Sequence, residues 1–180
     1  MTLEELKKKV LALIEEIDTT QPSLTNDPDI EAKLPYVINQ VIFELARMKK
    51  IPAKETMQVT EGKALDLNED LDNFYQLNHI KGVEAEIIDN FITFKEEGTA
   101  DIYYYKYPTR ITENTANTFK LELSDDALEI AVYGIAGDLL KADVSNAYGN
   151  VYMQRYQQMK QELDPRYAMG TIYIEGGLGV

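Results

Sequence analysis

The 180-residue sequence contains no cysteine and only one histidine, His79. The absence of cysteine excludes disulfides, thiolate nucleophiles, cysteine-based zinc sites and iron–sulfur clusters. A single histidine excludes metal motifs that need two, and a lone histidine is more often a packing residue than a base or ligand. The sequence also has no P-loop, Gly-x-Ser-x-Gly or His-Glu-x-x-His pattern. It therefore predicts a protein that is not an enzyme and holds no cofactor.

Basic residues are scarce, because 18 Lys and Arg stand against 31 Asp and Glu, a formal net charge of −13. This balance disfavours binding to nucleic-acid phosphates or anionic lipid, which depends on Lys and Arg replacing counterions. No apolar run approaches the roughly 18 residues that a membrane-spanning helix needs, and the first residues show no signal-peptide pattern. We therefore expect a protein made in the cytoplasm that binds no membrane and no specific nucleic acid.

Four helices are predicted from capping signals and from apolar residues spaced three or four apart. Thr2 and Glu5 form a capping box for the first helix, and Asp27 is the N-cap of the second. Pro35 should kink or split this second helix, and Ser124 is the predicted N-cap of the third. The four helices are expected at about residues 3–17, 28–50, 125–142 and 146–163.

Between residues 54 and 111 the apolar period changes from 3.6 to 2, which predicts strands. Two short apolar runs, 83–88 and 91–94, are joined by Asp89-Asn90, a predicted hairpin turn. The fold class is therefore predicted to be α+β, with a core like a four-helix bundle, an antiparallel β meander inserted between helices 2 and 3, and an extended C-terminal tail. The expected boundaries are 1–53 and 112–165 for the helical core, 54–111 for the inserted β region and 166–180 for a flexible C-terminal arm.

The alternating acidic segment Asp66–Asp72 resembles the start of a calcium loop. The pattern fails where Leu71 replaces the turn glycine and Leu77 replaces the bidentate glutamate. A capped, solvated acidic turn is the favoured interpretation, and calcium binding stays open. Gly134-x-x-Gly137 falls within a predicted helix, so it indicates a close approach of two helices rather than a dinucleotide site.

Tyrosines are concentrated in one predicted strand, where residues 103, 104, 105 and 107 are all tyrosine. Alternate rings in a strand face opposite sides of the sheet, so some of them should be exposed. Tyrosine suits interfaces because it buries much area at a small entropic cost. The predicted interface residues are therefore Tyr103 and Tyr105 in this strand and, in the fourth predicted helix, Tyr152 and Tyr156. Cross-strand pairing that only stabilises the sheet remains an equal alternative for the strand.

The C-terminal arm is apolar and holds four of the ten glycines. An uncovered run such as residues 172–174 would be an adhesive strand edge, so it should fold back or, preferably, add a strand to a neighbouring subunit. The residues predicted to bind a partner through this arm are Tyr167, Ile172, Tyr173, Ile174 and Leu178.

Several segments together resemble the head–tail adaptor (connector) proteins of tailed bacteriophages. The strand Ile102–Pro108 matches the group's "YYxxP" strand, Ala131–Leu140 its "YGAA..LL" helix, and Tyr152-x-x-Arg155-Tyr156 its final "Y…RY" helix. Lys33–Asn39 is similar to its "LPxxIN" segment. The similarity covers most of residues 27–163, and it departs at Ser124, where the group often has proline.

This resemblance implies a virion structural protein that assembles in the host cytoplasm as a homo-oligomeric ring, a dodecamer in the assembled virion. Its partners would be the portal protein and a tail or stopper protein, with the C-terminal arm reaching the portal or an adjacent subunit. Genome DNA would pass through the ring without specific binding. An acidic wall would repel the DNA and offer no phosphate-binding trap.

A hypothesis of a different class is a non-catalytic ligand-binding module. In it, the tyrosine-rich β region recognises a sugar or a peptide by stacking on aromatic faces. The acidic segment Asp66–Asp72 would then hold an optional calcium ion.

Overall fold

The computed structural model describes residues 1–141 and 147–163. Within this part of the chain, a β region lies between two pairs of helices, so the α+β class agrees with the prediction. The elements are α1 (Leu3–Leu13), α2 (Pro28–Met48), β1 (Ile51–Val59), β2 (Ala64–Asp66), α3 (Leu67–Asp70), β3 (Phe74–Lys81), β4 (Ala85–Ile88), β5 (Phe91–Phe94), β6 (Gly98–Lys106), α4 (Asp125–Leu140) and α5 (Tyr148–Glu162). None of these described helices is long and apolar enough to cross a membrane.

The first helix starts where its capping signal predicts and ends four residues early. Its capping box is present, since Glu5 N donates to Thr2 Oγ1 at 3.2 Å and Thr2 N donates to Glu5 Oε2 at 2.7 Å. Glu15 adopts a φ of 62°, a left-handed conformation that ends the helix, and Glu16 N donates to Leu11 O at 2.9 Å. The predicted extension to residue 17 is therefore wrong.

Helix α2 also starts at its predicted cap, because the Asp27 carboxylate accepts hydrogen bonds from two backbone N–H groups of the first turn. Pro35 lies buried inside the helix without splitting it. Ser124 occupies the N-cap of α4 as predicted, but its hydroxyl makes no capping hydrogen bond. The predicted break at residues 143–145 lies outside the described residues.

The predicted four-helix bundle is wrong, because α1, α2 and α5 each pack mainly against α4 and make few contacts with one another. Helix α4 packs against α1, α2 and α5. Nine of its sixteen residues are buried, and they cover most of its circumference, leaving the side that carries Glu129 and Tyr133. A bundle helix presents one apolar stripe, whereas a helix that is apolar all round is enclosed by its neighbours. The buried residues of α4 are Ala127, Leu128, Ile130, Ala131, Val132, Gly134, Ile135, Ala136 and Gly137.

The predicted single meander is also wrong, because the strands form two antiparallel three-stranded sheets. Their strand orders are β1-β6-β3 and β2-β5-β4. The long strand β6 pairs with β1 along one edge and with β3 along the other, so the two ends of the β region lie side by side. The predicted β4–β5 hairpin is confirmed, with Asp89 at a φ of 52° in its turn.

The two sheets have a core of their own, separate from the helical core. We call β1-β6-β3 the larger sheet, because its strands are longer, and β2-β5-β4 the smaller sheet. Ala100, Ile102 and Tyr104 of the larger sheet face Ile92 and Phe94 of the smaller sheet, and all five side chains are buried. The helical core instead collects the buried residues of α1, α2, α4 and α5.

An aromatic junction joins the two regions. The Tyr107 ring, just after β6, lies 5.7 Å from the Phe43 ring of α2 and 4.8 Å from the Tyr75 ring of β3, measured between centroids. Beside it, the Lys106 ammonium pairs with the Glu122 carboxylate, which also accepts a hydrogen bond from Thr109 N at 2.7 Å.

Candidate functional site: protein-contact surfaces

The face of the larger sheet that points away from the smaller one carries Tyr103 and Tyr105. Register places Tyr103 between Lys54 of β1 and His79 of β3. The Tyr103 ring is half-buried and stacks on His79, with 4.4 Å between centroids and 9° between planes. The ammonium groups of Lys54 and Lys81 each lie 5.4 Å from its centroid. The ring is therefore held by cross-strand stacking and cation–π contacts.

Tyr105 has still less free surface, with 8% of the residue exposed. The ammonium of Lys50 lies 4.9 Å from the ring centroid and donates to Gln76 Oε1 at 2.7 Å. A sugar or peptide ring that stacked on Tyr103 or Tyr105 would have to displace these side chains.

The charges on this face are fixed by a small network around Asp101. The hydroxyl of Thr56 donates to Asp101 Oδ1 at 2.6 Å, and Lys54 pairs with Asp101 Oδ2 at 2.9 Å. These bonds hold the pKa of the Asp101 carboxyl below its ordinary value, and the same carboxylate raises the pKa of Lys54. Nε2 of His79 is buried and has no hydrogen-bond partner among the described residues, so the contact that its ring makes here is the stacking on Tyr103.

The two predicted interface tyrosines of α5 mainly fix that helix to its neighbours. Tyr156 is 2% exposed, and its hydroxyl donates to Glu44 Oε2 at 2.8 Å, while Lys160 pairs with Glu44 Oε1 at 2.6 Å. Burial and the Glu44 carboxylate both raise the pKa of Tyr156. Tyr152 is half-buried and donates to Leu13 O at 2.9 Å.

The glycine pair of α4 allows this close packing, as the sequence predicts. A Cβ on Gly134 would lie 2.9 Å from Cδ2 of Tyr156, and one on Gly137 would lie 3.1 Å from the Met153 backbone nitrogen. No side chain larger than hydrogen fits at Gly134 without moving the Tyr156 ring.

In the acidic segment Asp66–Asp72, two carboxylates accept hydrogen bonds from backbone N–H groups of the same segment. Asp66 caps α3 by accepting a hydrogen bond from Asn68 N at 2.9 Å, and Asp70 accepts one from Asp66 N at 2.9 Å. Across residues 1–141 and 147–163, no group of three or more His, Cys, Asp or Glu is placed to hold a metal ion.

The β4–β5 hairpin presents a surface that the sequence analysis did not identify. Ile87 and Phe91 are each 50% exposed and Ile88 is 62% exposed, on the two sides of the turn. We call these three residues the hairpin tip. Two adjacent isoleucines in one strand must face opposite sides of the sheet, so at least one of them faces away from the core of a two-layered region. That signal was present in the sequence.

A second surface missed by the sequence analysis is a concave one on α2, with a volume of about 510 Å³. We call it the arginine groove; its lining includes Tyr36, Phe43, Arg47 and Arg110. Tyr36 is 72% exposed, and the Arg110 guanidinium lies 4.9 Å over the Phe43 ring. The side chain of Asn39 fixes the segment that carries Arg110, since it donates to Ile111 O at 2.7 Å and accepts from Ile111 N at 2.8 Å.

The C-terminal arm residues predicted to bind a partner, Tyr167, Ile172, Tyr173, Ile174 and Leu178, lie outside the described residues. A comparison of the sequence with protein-family models finds no match, and neither does a comparison with curated proteins.

Proposed function

We propose that this protein is a virion structural component of a tailed bacteriophage, a head–tail connector that forms a ring between portal and tail and lets DNA pass. The observation that carries the proposal is the hairpin tip, where three large apolar side chains are each at least half exposed. Ile88 and Phe91 are directly opposite each other on the outer face of the hairpin, and adjoining exposed apolar side chains favour a surface that meets another protein. Assembly is therefore the activity best supported by the described residues.

The motifs of the connector resemblance lie against each other in space, which supports treating them as one unit. Gly134 of the "YGAA..LL" segment contacts the Tyr156 ring of the "Y…RY" segment. Asn39 of the "LPxxIN" segment holds the backbone of Ile111, three residues beyond the "YYxxP" strand. Residues from distant parts of the chain thus build one helical scaffold, and none of these contacts requires a substrate.

The alternative of a sugar- or peptide-binding module has less support. Its stacking rings, Tyr103 and Tyr105, are engaged by His79 and by lysines of the same sheet. Ligand sites built on stacking need a free aromatic face in a concave setting. The described residues therefore favour the connector over the ligand-binding module.

The charge of the protein suits a ring through which DNA passes. A net charge of −13 per chain gives the ring a large negative charge, so DNA phosphates are repelled from most of its surface. The partners in this proposal are other copies of the chain, the portal protein and a tail or stopper protein. A ring whose lumen is lined by Lys and Arg would contradict the electrostatic part of the proposal.

Native mass spectrometry of the full chain, alone and mixed with the portal protein encoded near its own gene, tests this function. We expect ring-sized homo-oligomers that bind the portal, formed either at high concentration or only when the portal is present. A chain that stays monomeric at every concentration and does not bind the portal contradicts the proposal. So does a gene neighbourhood without portal or capsid genes.

A further inference from the structure

We propose that the hairpin tip of one copy docks into the arginine groove of the next copy, so that the subunits associate head to tail. The inference rests on the self-association in the proposed function and adds the two surfaces that carry it. It depends on the chemistry of the tip, the chemistry of the groove and the way the two complement each other.

The hairpin tip presents exposed apolar side chains, and the elements next to it carry carboxylates. Ile88 and Phe91 are directly opposite each other in the β4–β5 ladder, and Ile87 precedes them on the other side of the sheet. Helix α3 lies beside the turn, because Leu67 N donates to Asn90 O at 2.8 Å. The carboxylates on these elements are Asp66, Glu69, Asp70, Glu86 and Asp89.

The lysines of the smaller sheet lie away from the tip. Lys95 follows β5 at its opposite end, where it pairs with Glu84, and Lys63 precedes β2 at that same end. Among the described residues, none of the five tip carboxylates takes part in a salt bridge. The tip therefore presents apolar side chains with an uncompensated negative rim.

The arginine groove has the opposite character. Its lining includes the guanidinium groups of Arg47 and Arg110 and the ring of Tyr36, which is 72% exposed. The Phe43 ring stacks on Tyr107 and is covered by the Arg110 guanidinium, so Tyr36 is the aromatic side chain that the groove offers to a partner. The carboxylate in its lining, Glu44, is already engaged by Lys160 and by the Tyr156 hydroxyl. A volume of about 510 Å³ lies within the roughly 300–1,000 Å³ that is usual for ligand-binding clefts.

Charge decides which surfaces meet. Tip against tip would bring five carboxylates of each copy together, and groove against groove would oppose four arginines, so both symmetric pairings are disfavoured. Tip against groove pairs carboxylates with guanidinium groups and places Phe91 or Ile88 against the exposed Tyr36 ring. Anionic lipid is disfavoured as an occupant of the tip for the same electrostatic reason. The contact joins two different surfaces, so it can repeat around a closed ring.

Two variants that each disable one surface test the proposal by complementation. The tip variant carries Ile88→Lys and Phe91→Ser, and the groove variant carries Arg47→Glu and Arg110→Glu. All four substituted side chains are exposed, so we expect both variants to fold and to keep the circular dichroism spectrum of the wild type. Each variant alone should need at least about tenfold more protein to self-associate than the wild type.

An equal mixture of the two variants gives the decisive result. The tip variant keeps its groove and the groove variant keeps its tip, so the mixture retains one usable contact per pair. Native mass spectrometry should then show a one-to-one heterodimer and nothing larger. Val151→Lys, at a 54% exposed apolar residue of α5, is the matched control and should assemble like the wild type. Normal assembly of the tip and groove variants, or a loss confined to the control, would overturn the inference.

Crosslinking covers the case in which the free chain associates only weakly. Because the sequence has no cysteine, Asn90→Cys at the tip and Gln40→Cys beside the groove provide the only thiols in a mixture of the two proteins. We expect a disulfide-linked heterodimer, identified by peptide mass mapping, and much less product when Glu162→Cys replaces Gln40→Cys. Equal yields for the two pairs would overturn the inference.

Failure of this inference can be distinguished from failure of the proposed function. If the wild type forms rings or binds the portal but complementation fails, the inference is wrong and the proposed function stands. If the chain stays monomeric and does not bind the portal, the proposed function itself is wrong.

Discussion

The helical region and the β region of this chain bury their apolar side chains in different ways. The helices pack around α4, whose buried residues cover most of its circumference. The β region buries one face of each of two small sheets and leaves the hairpin tip and the Tyr103 face outside. The difference indicates that stability is concentrated in the helices, while much of the surface for partners lies in the β region.

A cavity in α4 should give the largest effect on stability. Leu128 is fully buried, and Leu128→Ala should lower the free energy of unfolding by about 2–5 kcal/mol, because it removes packed methyl groups and leaves a cavity. The measurement is urea unfolding followed by circular dichroism. Ile88→Ala is the control in the β region, and at 62% exposure it should change the free energy by no more than about 0.5 kcal/mol. Equal effects at the two sites would contradict the comparison.

Removal of the aromatic junction should uncouple the two regions at a smaller cost. Tyr107→Ala removes two ring contacts, to Phe43 and to Tyr75, each worth about 0.5–1.5 kcal/mol beyond its buried area. We expect a loss of about 1–3 kcal/mol and, in hydrogen exchange, a β region that opens before the helices. Tyr107→Phe keeps both ring contacts and should behave like the wild type. If helices and sheets still lose protection together in Tyr107→Ala, the junction is not what couples them.

Local signals in the sequence were enough to predict the helix starts. The capping box of Thr2 and Glu5 and the N-cap at Asp27 involve residues within four positions of each other, so the pattern contains the whole interaction. The β4–β5 hairpin was predictable for the same reason. The end of α1 was not, because it depends on the left-handed conformation of Glu15, a residue with no special preference for it.

Contacts between distant segments could not be predicted in this way. The pairing of β1 with β6 joins the two ends of the β region, and no local pattern distinguishes it from a meander. A bundle-like core implies one apolar stripe for α4, although its sequence is apolar over most of its circumference, and that signal was available in the sequence. The arginine groove joins α2 to Arg110, far along the chain, so only the folded structure brings its parts together.

Acid should affect the helical region before the β region, with a smaller effect than the loss of Tyr107. Burial raises the pKa of the Glu44 carboxyl, but hydrogen bonds from Lys160 and Tyr156 outweigh it and leave the pKa below its ordinary value of 4.5. A carboxyl with a lowered pKa in the folded state stabilises the fold above its unfolded pKa. That contribution is lost as the pH falls from about 4.5 through the folded pKa.

Glu122 at the junction behaves like Glu44, with burial opposed by Lys106 and Thr109 and a net lowering of its pKa. Asp101 in the β region also has a lowered pKa, but it lies on an exposed face where screening reduces its contribution. Unfolding free energies measured between pH 6 and pH 3 should therefore fall less steeply in Glu44→Gln than in the wild type. An identical slope in both proteins would show that the Glu44 contacts do not contribute.

The smallest expected effect is a difference in unfolding free energy between variants of two N-cap residues in the helical region, Asp27 and Ser124. Asp27→Ala removes a carboxylate that accepts hydrogen bonds from Asp29 N and Ile30 N, and it should cost about 1 kcal/mol. Ser124→Ala should cost much less, because the Ser124 hydroxyl makes no capping hydrogen bond to the backbone of the first turn of α4. Urea unfolding of both variants beside the wild type measures the difference. If Ser124→Ala lowers the free energy of unfolding as much as Asp27→Ala does, the Ser124 hydroxyl caps α4 in solution. The sequence-based prediction of the N-cap would then be correct in its chemistry as well as in its position.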